Sequence, residues 1–448
     1  MSDTIVALST PPGRSGIGVI RLSGCDPLSI VRQLVNHCEF DPEPRYAYLK
    51  KILDIETGEI FDEAIILYFQ APNSFTGEDV IEISCHGSPV VLRRIIDFCL
   101  KLDARLAEPG EFSLRALANG RINLSQAEAI RDLIDSQTLS AVKQSVRQLQ
   151  GEVSRQLQPI KDDLLEVIVI LESALEFVED DLPDFQIEKI IKNLESVSEK
   201  IGTFASTYQA GKLLREGLSV AIVGRPNVGK SSLFNALLGQ DRAIVTEIAG
   251  TTRDQINEKI SINGIPVSLI DTAGLRETFD IVESIGVERA KRTMADSDLI
   301  VVLLDGSQNL TDEDNTLLEF VNSINHLIAI NKCDLESCFS DLNGSKIFRV
   351  SAKTGEGLDD LQRGLVEPFM HSGNGDSGFL ISDARHYDLL VRAQNEIDLS
   401  IPLLHQKLSE EIILVGLHNA INYLGQITGE TTTEDMLTQI FSTFCIGK

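Results

Sequence analysis

None of the seven cysteines (Cys25, Cys38, Cys85, Cys99, Cys333, Cys338 and Cys445) lies in a C-x-x-C pair. An odd, scattered set of this kind argues against a disulfide framework and against a structural zinc site. Positive charge is also scarce: 40 Lys and Arg face 67 Asp and Glu, giving a net charge of −27. A protein that grips nucleic acid unaided shows a basic face, because phosphate neutralisation dominates that binding. Contact with RNA is therefore expected through a basic partner or a small part of the surface. No stretch approaches the roughly 20 uninterrupted apolar residues a membrane helix needs, and LLEVIVILESALEF is broken by glutamates. The opening MSDTIVALSTPPGRSG has no basic start and no apolar core, so a signal peptide is not expected and the compartment is expected to be the cytosol. Nor does any G-x-G-x-x-G dinucleotide fingerprint stand between a strand and a helix.

At 448 residues, 43% of them hydrophobic, the chain is too long for one core and predicts two to four globular domains. Residues 1–118 alternate β-rich runs (TIVALST, GVIRLSG, EAIILYF, DVIEISCHG) with helical stretches, the pattern of a small α/β or α+β domain. Residues 119–214 turn to long helices with apolar steps of three and four, such as PIKDDLLEVIVILESALEF. Strands and helices alternate again over 215–372, and the glycine-rich HSGNGDSG then reads as a linker. Helices return over 373–448. The economical architecture is multidomain α/β plus all-α: an α/β domain inserted into a helical one, whose two halves pack together.

Two tempting features read as structure. EDDLPD at 179–184 lacks the glycine and ligand spacing of a calcium loop and reads as a solvated helix end. Cys85 and His86 are neighbours on a strand and point to opposite faces, which disfavours a catalytic dyad.

The chemistry is concentrated at 224–231, GRPNVGKS, a G-x-x-x-x-G-K-S loop between the strand LSVAIV and the helix SLFNALLG. In that context backbone N–H groups of Asn227, Val228, Gly229, Lys230, Ser231 and Ser232 cradle phosphates, Lys230 reaches the β/γ-phosphates and Ser231 binds Mg²⁺. Downstream, PVSLI leads into Asp271, Thr272, Ala273 and Gly274, placing Asp271 near the magnesium water shell and Gly274 at the γ-phosphate. TTRD at 251–254 offers Thr252 as a mobile-loop hydroxyl for Mg²⁺. Strand-like LIAI and IFRV lead into NKCD (Asn331, Lys332, Asp334) and SAK (Ser351, Ala352, Lys353), at strand ends where α/β proteins bind ligands. The Asp334 carboxylate can accept from the ring N–H and exocyclic amine of guanine. Adenine would leave it unpaired, a mismatch worth roughly 10⁴-fold in discrimination. The pattern predicts a GTP hydrolase with a Ras-like P-loop domain built on a doubly wound, mostly parallel sheet. Leu275 stands where Ras-type GTPases keep a glutamine that positions water. Another group must hold the water, with Glu277 and Glu283 nearby and Arg276 as a nearby cation.

Together with PPGRSG, PNSFTGEDVIEISCHG, EPGEFSLRA, SQAEAI, LLREG, IAGTTRD, DTAGLRET and the terminal FCIGK, these motifs resemble, end to end, the MnmE family, also called TrmE. Its members are bacterial GTPases of tRNA wobble-uridine modification. The resemblance implies a nucleotide site that extends to Thr246, Glu247, Ile248, Ala249, Gly250 and Thr251. It implies K⁺ held by Asn227 with the loop around Thr246, Ile248 and Thr251, supplying charge where an arginine finger would act. Glu283 would orient or activate water, with GTPase domains of a homodimer meeting. The N-terminal domain would be of folate-binding type and dimeric, with a formyl-tetrahydrofolate met by Arg21, Glu82, Arg121 and Lys448. On the residues alone, Arg21 and Glu82 read as polar faces of strands. The implied reaction adds an aminomethyl or carboxymethylaminomethyl group to carbon 5 of the wobble uridine. The flavin would come from an FAD-containing MnmG (GidA) partner, and tRNA would be bound largely through that partner. A ribosome-assembly GTPase or a dimeric regulatory switch would share the GRPNVGKS and NKCD signals. Cys445 fits packing or pocket lining better than lipidation, since the chain ends in Lys448 rather than a C-a-a-X residue.

Overall fold

A computed structural model describes residues 3–176, 184–240, 257–271, 297–336, 347–370, 378–406, 409–431 and 433–447. Contacts divide the chain into two units. One comprises Met1–Arg131, Leu149–Ser154 and Gly425–Lys448; the other comprises Asp132–Gln148 and Arg155–Leu424.

The first unit is built on a six-stranded sheet of β1 (Thr4–Leu8), β2 (Ile17–Gly24), β3 (Ala47–Leu53), β4 (Ile60–Phe69), β5 (Asp79–His86) and β6 (Ala104–Leu106), in the order β3-β4-β5-β2-β1-β6. All pairs are antiparallel except β1 with β6. Of the α/β and α+β alternatives, this is the largely antiparallel one. Strand alternation sends Val6, Ile20, Leu22, Ile66, Ile81 and Ile83 to one face, where helices Pro27–Leu34 and Pro89–Lys101 cover them with Ile30, Val31, Leu34, Ile95 and Phe98. The opposite face presents Arg21 and Glu82, which are register partners on β2 and β5. Residues 425–448 belong to this unit because Phe441 and Phe444 bury against Leu124 and Ala127.

In the second unit a further six-stranded sheet comprises β7 (Leu218–Val223), β8 (Asn257–Ile262), β9 (Ile265–Asp271), β10 (Leu299–Asp305), β11 (His326–Asn331) and β12 (Ile347–Arg349), in the order β12-β11-β10-β7-β9-β8. It is parallel apart from the β8–β9 hairpin. β10 (LIVVLLD) is buried along its whole length because both faces are covered. Leu233, Leu237, Leu361 and Leu365 pack on one side, from helices Lys230–Gln240 and Leu358–Met370. Val321, Leu317 and Leu318 of helix Asp312–Val321 pack on the other. The sheet is therefore doubly wound. Strand order reverses at β7, whose neighbours are β9 and β10, so the crevice for a ligand opens at the carboxyl end of β7.

Helices on the two sequence sides of this sheet pack together. Asp184–Ser206 lies along Ala384–His405, joined by Ser198 Oγ donating to Asp398 Oδ1 at 2.6 Å, and Gly202 makes room for Gln394. The chain enters β7 from helix Tyr208–Glu216, and the returning chain is fastened to that helix. Arg215 donates to Asp383 Oδ2 at 2.8 Å and pairs with Asp132 at 3.0 Å. A β-carbon on Gly211 would sit 2.0 Å from the Ile381 carbonyl oxygen, so only glycine permits this approach. Burial alone would raise the Asp383 carboxyl, but the positive charges of His386 and Arg215 and the Arg385 amide hold it well below the usual carboxylate range. A carboxyl with a lowered folded pKa stabilises the fold above its unfolded pKa, near 4, and loses that contribution as pH falls further. Asp383→Ala is expected to lower unfolding free energy by about 2 kcal/mol at pH 7. In denaturant titrations, the gap from the parent protein should shrink once the pH is taken below about 4.

Candidate functional site

The nucleotide loop leaves β7 at Val223 and returns as the first turn of helix Lys230–Gln240. Its glycines are required by their neighbours. A β-carbon on Gly224 would lie 2.4 Å from Leu303 O, and one on Gly229 (φ +99°) 2.3 Å from Asn331 Nδ2. Asn227 takes φ +65°, a left-handed turn that asparagine tolerates. This curl points successive N–H groups toward the helix N-terminus, where phosphate binds. Lys230 Nζ is 2.9 Å from both Gly224 O and Arg225 O, so its ammonium is held across the loop. Val228 is buried, whereas Asn227, Ser231 and Ser232 are exposed at the mouth. β9 ends at Asp271, in register with Ile222 just before the loop. The Ser231 hydroxyl and the Asp271 position give an oxygen-only set that suits Mg²⁺, which also takes phosphate and water ligands. Among the described residues no three His, Cys, Asp or Glu side chains gather to hold a metal. Asn227 brings one neutral oxygen donor that suits K⁺.

The candidate base pocket is assembled from two further strand ends. Asn331 closes β11 and is 3% exposed; its Nδ2 donates to Val228 O at 2.9 Å and its Oδ1 accepts from Ala352 N at 3.0 Å. Ser351, fully buried, donates through Oγ to Asp334 Oδ1 at 2.7 Å and accepts from Thr354 N at 3.2 Å. The Asp334 carboxylate is thus aimed by Ser351 while remaining exposed to a base. Lys332, with φ +66°, donates to Asp305 Oδ2 at 2.6 Å. Lys353 is exposed beside them. The loop, NKCD and SAK therefore meet at one crevice. Positions 246–252, 272–274 and 283, with Leu275, Arg276 and Glu277, lie outside the described residues.

Sequence reading missed two residues here. Asp305 stands at a strand end, a position that could have flagged it. Arg225 lies inside the recognised loop, where its Nη2 donates to Gln308 Oε1 at 3.0 Å and its Nε stands 3.4 Å from Asp314 Oδ2. Asp314 is also the partner of Thr311 in the capping box of helix Asp312–Val321. Nothing local in the sequence links these positions to the loop.

In the first unit, Arg21 Nε and Nη2 donate to Glu82 Oε1 at 3.0 and 2.7 Å. The guanidinium carbon lies 5.7 Å from the Phe75 ring centre and 5.8 Å from that of Phe112. Arg21 Nη1 donates to Gly447 O at 3.3 Å, and Ser9 Oγ donates to the same carbonyl at 3.2 Å. Gly110 N donates to Cys445 O at 3.4 Å. The tail thus returns to β1 and β2, although Lys448 itself lies outside the described residues. Gly447 has φ +95°, and a β-carbon there would be 2.5 Å from Leu8 O. Arg121 is exposed after helix Glu111–Ala118, with its stem over Gly77. Cys445 is exposed. Cys85 is buried, and burial pushes its thiol up to about 11, the opposite of an activated nucleophile; His86 is exposed and meets Asp62 at 2.6 Å.

If Asp334 reads guanine, Asp334→Asn should weaken GTP binding by about 100-fold or more, because an amide N–H would face guanine donors. Fluorescence titration should show partial recovery with xanthosine triphosphate, whose C2 oxygen accepts from that amide.

Comparison with known proteins accounts for the chain along its length. Residues 4–121 match the family description "GTP-binding protein TrmE N-terminus", and residues 124–445 match "MnmE helical domain". The tRNA modification GTPase MnmE of Aquifex aeolicus is 44% identical over 100% of both chains. Its namesake from Koribacter versatilis is 43% identical, again over 100% of both. Among solved structures, the G domain of the T. maritima FeoB iron transporter is 29% identical, covering 34% of this chain and 97% of its own, with a TM-score of 0.27. The chain belongs to the MnmE (TrmE) family of tRNA modification GTPases.

Proposed function

We propose that this chain couples GTP hydrolysis to addition of an aminomethyl or carboxymethylaminomethyl group to carbon 5 of the wobble uridine of certain tRNAs, in the cytoplasm. It acts with a flavin-bearing MnmG (GidA) partner and a formyl-tetrahydrofolate-type donor. The observation that carries this reading is the end-to-end match to proteins named tRNA modification GTPase. Two features of the first unit support the donor. Arg21 offers a cation between aromatic rings for the ligand's carboxylates, and Glu82 offers an acceptor for a pterin N–H edge. The Gly447 carbonyl on Arg21 brings the chain end, and so Lys448, toward the same pocket. Arg121 completes the set.

Homodimerisation through this unit is supported by the apolar face beside Arg21. Leu49 and Ile65 are register partners there and are 69% and 47% exposed. Among the described residues no helix is long and apolar enough to cross a membrane.

For hydrolysis, Lys230 and the loop N–H groups hold the β/γ-phosphates, while Ser231 and Thr252 would hold Mg²⁺ with Asp271 near its water shell, and the ion would offset charge on the phosphates. Glu283 holds water in line with the γ-phosphorus; water attacks, the bond to the β-phosphate oxygen breaks, and GDP and phosphate leave. Asn227 with Thr246, Ile248 and Thr251 would hold K⁺, which would supply positive charge beside the transferring phosphoryl. GTP turnover should accordingly be faster in K⁺ than in equimolar Na⁺, and Asn227→Ala should abolish the difference. Equal parent rates in the two salts would refute the K⁺ assignment. For the reaction as a whole, nucleoside analysis of tRNA from a deletion strain should show loss of the wobble-uridine modification. Restoration by the parent gene but not by an Arg21→Ala, Glu82→Ala copy is the expected complementation result.

A further inference from the structure

Asp305, the last residue of β10, is 4% exposed, and both of its carboxylate oxygens are engaged. Oδ1 accepts from Ser307 N at 3.0 Å and from Ser307 Oγ at 2.6 Å. Oδ2 accepts from Lys332 Nζ at 2.6 Å. Strand register brings the two together: Asp305 lies opposite Asn331 on parallel β11, and Gly306 N donates to Asn331 O at 2.8 Å. Lys332 follows immediately, with φ +66°, a conformation that a residue bearing a β-carbon seldom adopts. That turn directs its side chain back over the end of β10. Burial alone would raise the Asp305 carboxyl, but hydrogen bonds from Lys332 and Ser307 hold it below the usual carboxylate range.

A lysine side chain has more rotamer freedom to lose than almost any other, and a ligand that uses it must order it. Here the ordering is done in advance. The left-handed backbone fixes where the stem starts and the Asp305 carboxylate fixes where the ammonium ends, so the methylenes between them have little freedom left. Pre-organisation of this kind strengthens binding without adding a contact to the ligand.

We propose that Asp305 is a positioning residue for guanosine binding: it holds Lys332 extended so that the stem lies ready against the base and sugar. The proposal rests on the NKCD segment being the base site. The experiment uses the full chain with Asp305→Asn, Lys332→Ala and the double variant. The Asp305→Asn change keeps the side-chain shape, and the amide oxygen can still accept from Ser307; equal melting temperatures would establish an intact turn. Displacement of a fluorescent GDP analogue in stopped flow, with KM and kcat for GTP, gives the readout. Each single variant should weaken GDP by about tenfold, the scale of one unordered lysine, and the double variant by no more than Lys332→Ala alone. The change should fall on KM rather than kcat. If Lys332→Ala weakens GDP while Asp305→Asn leaves it unchanged or tighter, the proposal fails and the base site stands. A double variant weaker by about a hundredfold, the additive result, also overturns it. No effect from Lys332→Ala overturns both the proposal and the base-site reading.

Discussion

One buried amide holds the nucleotide site together. Asn331 donates to the carbonyl of Val228 in the phosphate loop and accepts from the amide of Ala352 in the SAK turn. Leaving either group of such a side chain unpaired would cost about 1–3 kcal/mol, so three loops from distant parts of the chain settle into one arrangement. The glycine at 229 belongs to the same junction, since its missing β-carbon is what lets Asn331 approach. From this junction the other contacts follow: Lys332 is turned onto Asp305, Cys333 N reaches Val350 O at 3.1 Å, and Asp334 is steered by Ser351. The phosphate loop and the NKCD and SAK turns are therefore mechanically one unit.

The first unit uses its cations differently. Arg94, Arg105 and Arg115 are all engaged by carboxylates of their own chain, Arg115 with Asp3, Glu78 and Glu111 together. Guanidiniums committed in this way are poorly placed to neutralise phosphates as well, which sharpens the meaning of the −27 charge. The surplus of acid and the internal use of arginine both leave few of these cations available to a polyanion. Arg21 differs from the rest in lying between aromatic rings on the open face of the sheet, beside the returning tail.

Much of the GTPase half was legible because its signals are local. A glycine-rich loop between an apolar strand and a helix dictates its own backbone, and Asn331 and Ser351 sit at strand ends that the burial pattern already marks. Arg225 was not legible and Asp305 only by its strand-end position, since their partners Gln308 and Lys332 lie 83 and 27 residues away and carry no signal that points back to them. In the first unit, alternation alone placed Arg21 and Glu82 on strand faces but could not pair β2 with β5.

The fate of the FCIGK tail shows the same division. Phe444 of the tail and Phe441 just before it are large apolar side chains, whose burial is favoured in any fold. Which surface supplies the cover is a matter of long-range packing: Leu124 and Ala127 bury the two rings, and Leu8, Ser9 and Arg21 receive the penultimate residue. The sequence by itself determined the chemistry available at each position, the phosphate-loop pattern and the carboxylate of the NKCD segment among it. Only the tertiary structure decided which strands lie side by side, and so which distant residues share a hydrogen bond, because pairing across hundreds of residues is set by the burial of whole faces rather than by any local preference.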